Sequence, residues 1–350
     1  MISFTQAILD WYGANGRDLP WRRTRDPYAI WLSEIILQQT RIAQGQAYWE
    51  RFLAAFPDVQ RLAAASEDEV LRLWQGLGYY SRARNLHAAA KQIAALGHFP
   101  ETLEGIRALK GVGDYTAAAI GSIAFGLSAA VVDGTVSRVL ARHFGIDTPV
   151  GSTAAKKEFT ARAQSLLPQD RPGDFNQGMM DFGALICTPA SPACLLCPLA
   201  GSCAALASGR VDSLPVRSKA PEVQLRRFSY IYVRFHGRTA IRRRGPGDIW
   251  QGLYEPLVVD QRLVGDAYDL RHSGLDLRHS GLDPESPPQL LKSNVKHQLT
   301  HRTLIVDFYL WEPAAEPTLP EGYFWIQEAE LDHYAKPRLF ELMLKELSID

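Results

Sequence analysis

The chain has 350 residues, 46 % of them hydrophobic, which is enough for two globular domains with packed cores. Its 38 basic and 38 acidic residues cancel, so bulk charge supplies no attraction to nucleic acid or to an anionic surface. No apolar run is long enough to cross a bilayer, and MISFTQAILDWYG has neither a basic leader nor a small-residue cleavage site, so a cytoplasmic protein without membrane contacts is expected.

The charge is slightly uneven. Residues 1–220 hold 22 Lys+Arg against 19 Asp+Glu, and the remainder holds 16 against 19. A shift this small means that any DNA contact must come from local placement of Arg, Lys and backbone amides.

Residues 1–209 read as helices. QAILDWYGAN, AAASEDEVLRLWQ and RARNLHAAAKQIAAL are rich in Ala and Leu with helical periodicity, and they predict an all-α domain in two lobes with a groove between them. WLSEIILQQT at 31–40 puts Glu34 in an apolar helical stretch. A carboxylate so placed is either solvated at the edge of a helical face, the commoner case, or held in a pocket where burial keeps it protonated near neutral pH. Trp21 and Tyr79, taken singly, read as core aromatics as readily as site residues.

Residues 109–120 read LKGVGDYTAAAI. A short helix is expected to end near Leu109, Gly111 and Gly113 to turn the chain with positive φ, and a second helix to resume over Thr116 to Ile120. The exposed amides of such a hairpin and helix start can grip one phosphate. Glycine turns between helices are common, so this signal is weak alone. Asp133, in VVDGTVSRVLARHF, follows as the N-cap of a helix beginning near Thr135.

All four cysteines crowd into one loop as C-x6-C-x2-C-x5-C: Cys187, Cys194, Cys197 and Cys203. Disulfides are disfavoured in a cytosolic chain. Four thiolates can hold zinc or a [4Fe–4S] cluster. Structural zinc usually draws on two separated C-x(2–4)-C hooks, so three unequal gaps in one loop favour the cluster.

At these motifs the chain resembles the endonuclease III and MutY glycosylases, and the stretch from Phe175-Asn176-Gln177 through Met180-Asp181-Phe182-Gly183 to Cys187 resembles the MutY adenine DNA glycosylases in particular. The resemblance implies a two-lobed helix–hairpin–helix glycosylase with an iron–sulfur loop. It implies a monomer that removes adenine opposite 8-oxoguanine or guanine from double-stranded DNA. Two carboxylates suit that reaction, because the transition state is oxocarbenium-like: one group protonates the leaving base and the other stabilises the sugar cation. WLSEIILQQT assigns the acid to Glu34, and the family pattern assigns the cation to Asp133. Arg17-Asp18-Leu19-Pro20-Trp21-Arg22 resembles the mouth of the adenine pocket, which implies Arg17, Trp21, Arg22, Leu37 and Gln177 as pocket residues. Gln39 and Tyr79 match residues that wedge beside the oxidised guanine. Tyr115 stands where the lyase members carry a nucleophilic lysine, and Lys110 lies on the other side of the glycines, which implies base removal with little or no strand cleavage. Two departures stand out: Thr135 replaces the family's usual Asn after Asp-Gly, and the TPASPA loop after Cys187 lacks the basic residues of relatives. The alternatives are an endonuclease III-like lyase for oxidised pyrimidines and a non-catalytic DNA-binding iron–sulfur protein.

Residues 210–224 read as a linker. FSYIYVRF, TAIRRR, LYEPLVV and TLIVDFYLW then predict the strands of a smaller α/β domain over 225–350. DIWQGLYEP and HQLTHR resemble landmarks of the Nudix-like domain that ends MutY proteins. The latter puts Leu299, Thr300 and His301 at its lesion-reading loop, with Thr300 and His301 bonding the oxidised base and Leu299 packing. The Nudix hydrolase box is missing, so pyrophosphate hydrolysis is not expected. DLRHSGL occurs twice in tandem at 269–282, and the segment to 288 reads as an insertion.

Overall fold

The computed structural model describes residues 2–218, 223–260 and 287–349. The tandem repeat, and its continuation to 286, lies outside the described residues. The helices are α1 (Phe4–Asn15), α2 (Pro27–Ile36), α3 (Ile42–Ala55), α4 (Val59–Ala64), α5 (Glu67–Trp74), α6 (Ser81–Leu96), α7 (Leu103–Arg107), α8 (Asp114–Phe125), α9 (Gly134–Phe144), α10 (Thr153–Leu166), α11 (Pro172–Leu185), α12 (Ala204–Ala207) and α13 (Arg338–Glu346). The strands are β1 (Gln224–Phe235), β2 (Arg238–Arg243), β3 (Tyr254–Glu255), β4 (Leu257–Asp260), β5 (Gln289–Gln298), β6 (Arg302–Trp311) and β7 (Tyr323–Gln327).

The chain divides into two units: Met1–Ala64 with Asn85–Lys219, and Ala65–Arg84 with Ala220–Asp350. Residues 65–84, which the sequence places in the helical domain, therefore count with the second unit.

The first unit is helical. On one side α1, α9, α10 and α11 bury Ile8, Val139, Leu140, Phe159, Phe175, Met179 and Phe182 together. Phe182 is 1 % exposed, so truncating it to Ala leaves a void that costs about 3–5 kcal/mol. On the other side α2 packs against α3 and α8. The Asp26 carboxylate caps α2 by accepting from the Tyr28 amide at 3.0 Å, and Pro27 opens its first turn. Every α2 residue from Tyr28 to Ile36 is buried except Glu34. The expected linker is not free over its first residues: Leu214 is buried, its carbonyl accepts from Arg142 Nε at 3.0 Å, and Val150 donates to the Val216 carbonyl at 2.9 Å.

The second unit is built on a seven-stranded sheet ordered β3-β2-β1-β6-β5, with β4 also on β1 and β7 on β2. β1 and β6 run parallel, in register from Gln224↔Arg302 to Val233↔Trp311. Side chains alternate across these strands. Phe228, Tyr230, Tyr232, Val306 and Phe308 pack under Leu339, Phe340 and Met343 of α13. Ile231, Val233, Tyr309 and Trp311 form a smaller core with Leu257 and Val259. LYEPLVV, read as one strand, is two (β3 and β4), because Pro256 cannot donate to the ladder.

Candidate active site

A cavity of about 640 Å³ in the first unit gathers side chains from far-apart segments. Arg17, Trp21, Arg22, Glu34, Leu37, Gln39, Tyr115, Asp133 and Gln177 all line it, with Thr135 and Met180 beside them. Among the described residues no lysine lines it.

Glu34 is the one α2 residue from Tyr28 to Ile36 that is only partly buried, and it lines this cavity beside Ile30 and Ser33. Burial pushes its carboxyl up to about 7; a hydrogen bond from Tyr115 and the charge of Arg22 pull the other way, and Asp133 adds to the rise. Tyr115 stays protonated, because the Glu34 charge and its own burial hold the phenol well above its ordinary range. The Tyr115 hydroxyl also reaches Met180 Sδ at 3.4 Å. Across the cavity, Asp133 Oδ1 accepts from the Val136 amide at 2.7 Å and caps α9, which begins one residue earlier than expected, at Gly134. The capping and the cavity-facing positions of Asp133 are thus compatible.

The two arginines of the pocket mouth are already engaged. Asp181, wholly buried on α11, accepts from the Arg17 amide at 2.9 Å and Arg17 Nε at 2.8 Å, and from Arg22 Nη1 and Nη2 at 2.6 and 2.8 Å. Burial would raise the Asp181 carboxyl, but the hydrogen bonds and charge of these two residues outweigh it and hold the group below its ordinary range. Arg17 and Arg22 form a fixed wall rather than freely reaching donors. Asp181 stands in the Met180-Asp181-Phe182-Gly183 stretch, where no local pattern marks it as an anchor. Trp21 is buried against Trp49 at 5.8 Å between ring centroids, so it serves the core and the cavity together. Gln177 is buried, donating to the Gly173 carbonyl at 3.3 Å.

The hairpin departs from expectation at one glycine. α7 ends at Arg107, and Gly111 has φ +77°, where an added Cβ would lie 2.6 Å from Asn85 Cβ. Gly113 is instead extended, φ −96° and ψ −178°, and N-caps α8 with no side-chain hydrogen bond and open space around it. The start of α8 is therefore open at Gly113, while the carboxylate of Asp114, its first residue, is held by Arg107 and Lys156 at 2.9 and 2.6 Å. Lys110 is exposed on the hairpin, its amide donating to Gln92 Oε1 at 2.7 Å.

The remaining expected residues fall in the second unit. Leu299, Thr300 and His301 join β5 to β6 as a tight hairpin closed by the Leu299 amide donating to the Arg302 carbonyl at 2.8 Å. All three, with Tyr79, Trp250 and His297, line a cavity of about 730 Å³. Tyr79 is half exposed with φ +46°, so it is no core aromatic, and its hydroxyl hydrogen-bonds that of Thr300. Gln39, also left-handed at φ +57°, belongs to the first cavity.

The four cysteines surround a small cavity of about 30 Å³ together with Arg142. The buried Arg142 guanidinium donates to the carbonyls of Leu214, Thr188 and Pro189 and reaches Cys187 Sγ at 3.5 Å. Among the described residues no three or more His, Cys, Asp or Glu side chains stand close enough to hold one metal ion.

Comparison with known proteins supports both halves. Residues 32–169 match the model of the HhH-GPD superfamily base excision DNA repair proteins, and residues 229–346 match the NUDIX domain. The chain is 43 % identical over 235 residues to the adenine DNA glycosylase of Homo sapiens, covering 61 % of this chain and 43 % of that protein. It is 35 % identical over 254 residues to the adenine DNA glycosylase of Buchnera aphidicola subsp. Acyrthosiphon pisum, covering 72 % of this chain and 73 % of the relative. The chain thus spans less than half the length of the human relative. Among solved structures, a thermostable thymine-DNA glycosylase superposes with TM-score 0.54 at 31 % identity, over 59 % of this chain and 95 % of that one. An endonuclease III–DNA covalent intermediate, at 21 % identity and TM-score 0.51 over 60 % of this chain and 99 % of that one, shares the fold. By its sequence match over nearly three quarters of the Buchnera relative, the chain belongs to the adenine DNA glycosylase family.

Proposed function

We propose that the chain is a monofunctional glycosylase that hydrolyses the N-glycosidic bond of adenine opposite 8-oxoguanine or guanine in duplex DNA. The observation that carries this reading is Glu34: a carboxyl that burial raises to about 7, in a cavity that also holds Asp133. Such a carboxyl is substantially protonated near neutral pH and can donate to the leaving base. Asp133 then stabilises the sugar cation or captures it as a short-lived adduct.

The walls suit a flipped base. Trp21 and Leu37 offer apolar and stacking surface, while Gln177 and the Arg17/Arg22 wall offer polar contacts to the base edge. Gly111 and Gly113 present the backbone amides of the hairpin to a phosphate. Tyr79, Thr300, His301 and Leu299 form the lesion-reading surface of the second unit, and Gln39 lines the cavity of the first.

The C-x6-C-x2-C-x5-C spacing in one loop favours a [4Fe–4S] cluster over zinc. The four cysteines ring one cavity beside a buried guanidinium whose partners are carbonyls and one thiol, an environment that suits an anionic thiolate-ligated centre. The cluster would be held by Cys187, Cys194, Cys197 and Cys203 and would order this loop, with no part in bond cleavage.

Product analysis tests the reaction type. Free adenine with an uncleaved abasic strand is the expected outcome. Strand cleavage with a borohydride-trapped protein–DNA adduct would instead point to a lyase.

A further inference from the structure

Asp181 has no part in the acid and cation roles above, yet its side chain is fully buried where two guanidiniums meet. Arg17 and Arg22 both bind it, Arg22 with only 11 % of its side chain exposed. One carboxylate cannot neutralise two guanidiniums, so the triad keeps a net positive charge in the cavity wall. Arg22 is the member whose field acts directly on Glu34, and its guanidinium also lies 5.6 Å from the Tyr12 ring centroid. The other ionisable groups that line the cavity with Glu34 are Arg17, Tyr115 from α8 and Asp133 at the start of α9, and of the two arginines it is Arg22 whose charge bears on the carboxyl. Arg22 is therefore the cation that acts on this carboxyl, and Asp181 is what holds it there.

We infer that Asp181 is a positioning residue that fixes Arg17 and Arg22 in the cavity wall and, by offsetting part of their charge, sets the pH at which Glu34 gives up its proton. The inference rests on the glycosylase reading of this cavity. A cation beside a carboxyl favours its ionised form, and a buried anion behind that cation weakens the effect. Removing the anion and removing the cation must therefore move the acid in opposite directions.

The test is single-turnover adenine release as a function of pH for the full chain, each variant's profile normalised to its own maximum. Asp181→Asn adds net positive charge beside Glu34, so the pH at which activity is lost moves down. Arg22→Gln removes positive charge, so that pH moves up, by roughly one unit. The double variant returns toward the wild-type midpoint. If Asp181→Asn fails to fold, Arg22→Gln against wild type still gives a signed shift. Equal midpoints in all soluble variants, whatever their rates, would overturn the inference, since a merely structural role changes amplitude and leaves the midpoint in place. A wild-type protein that releases no adenine at any pH would sink the glycosylase reading instead.

Discussion

Tyr115, in the first turn of α8, and Glu34, on the apolar helix α2, line one cavity, where the Tyr115 hydroxyl acts on the Glu34 carboxyl. The hydroxyl favours the ionised form of Glu34, while burial favours the protonated form more strongly. Tyr115→Phe removes only the opposing influence. The pH at which adenine release declines should therefore rise, with the maximal rate within about tenfold of wild type. A fall in that midpoint would contradict the assignment.

In the proposed reaction Glu34 acts in its protonated form, so release should be full below about 7 and decline as pH rises through that value. Glu34→Gln keeps the shape but cannot deliver a proton, and single-turnover release should drop by about 10²–10⁴-fold. Duplex affinity, measured by fluorescence anisotropy, should stay near wild type, because the group lies in the cavity rather than on the backbone-gripping hairpin.

The two hairpin glycines should respond differently to alanine. At Gly111 a side chain meets Asn85 and the backbone is left-handed, so Gly111→Ala should lower stability by about 1–3 kcal/mol and weaken DNA binding. At Gly113 there is room for a Cβ and φ is ordinary, so Gly113→Ala should leave the melting temperature nearly unchanged. Its cost should show in DNA affinity, where the methyl crowds the approach of a phosphate to α8. Thermal melting and DNA titration of the two variants separate these effects.

Much of this site was legible in the sequence because its chemistry sits in short motifs. The four cysteines crowd into seventeen residues, whereas Glu34 in an apolar helix and Asp133 at a helix start gain their roles only from the family resemblance of their motifs. What could not be read is what depends on distant pairing. The partners of Asp181 lie 159 and 164 residues away, so nothing local marks it as an anchor. The hydroxyl pair of Tyr79 and Thr300 spans 221 residues, and only the fold brings it together. β5 went unread as a strand because its residues are mostly exposed, its register shifts between Leu290 and Val295, and Asn294 has φ +54°, which erases the period-two pattern. Residues 210–218 belong to the expected linker 210–224, which looked like a tether because of its two prolines and mixed charge. Buried Leu214, bonded by Arg142, instead fastens them to the helical unit.

Arg142 supplies a cation to the cysteine ring, and its guanidinium also fastens three loop carbonyls. Arg142→Ala should reduce the iron content and visible absorbance of the purified protein and lower its melting temperature. Cys197→Ser should reduce the iron content similarly while leaving the Arg142 carbonyl contacts in place. Unchanged iron in both variants would argue against a cluster held by this ring.

The central claim is adenine excision by Glu34 directed by the opposing base. Its most direct measurement is single-turnover adenine release by wild type and Glu34→Gln, from duplexes with A opposite 8-oxoguanine and A opposite T. Release by the wild type from the first duplex alone is expected, and essentially none by the variant from either. Release by Glu34→Gln at the wild-type rate, or equal release by the wild type from both duplexes, would contradict it.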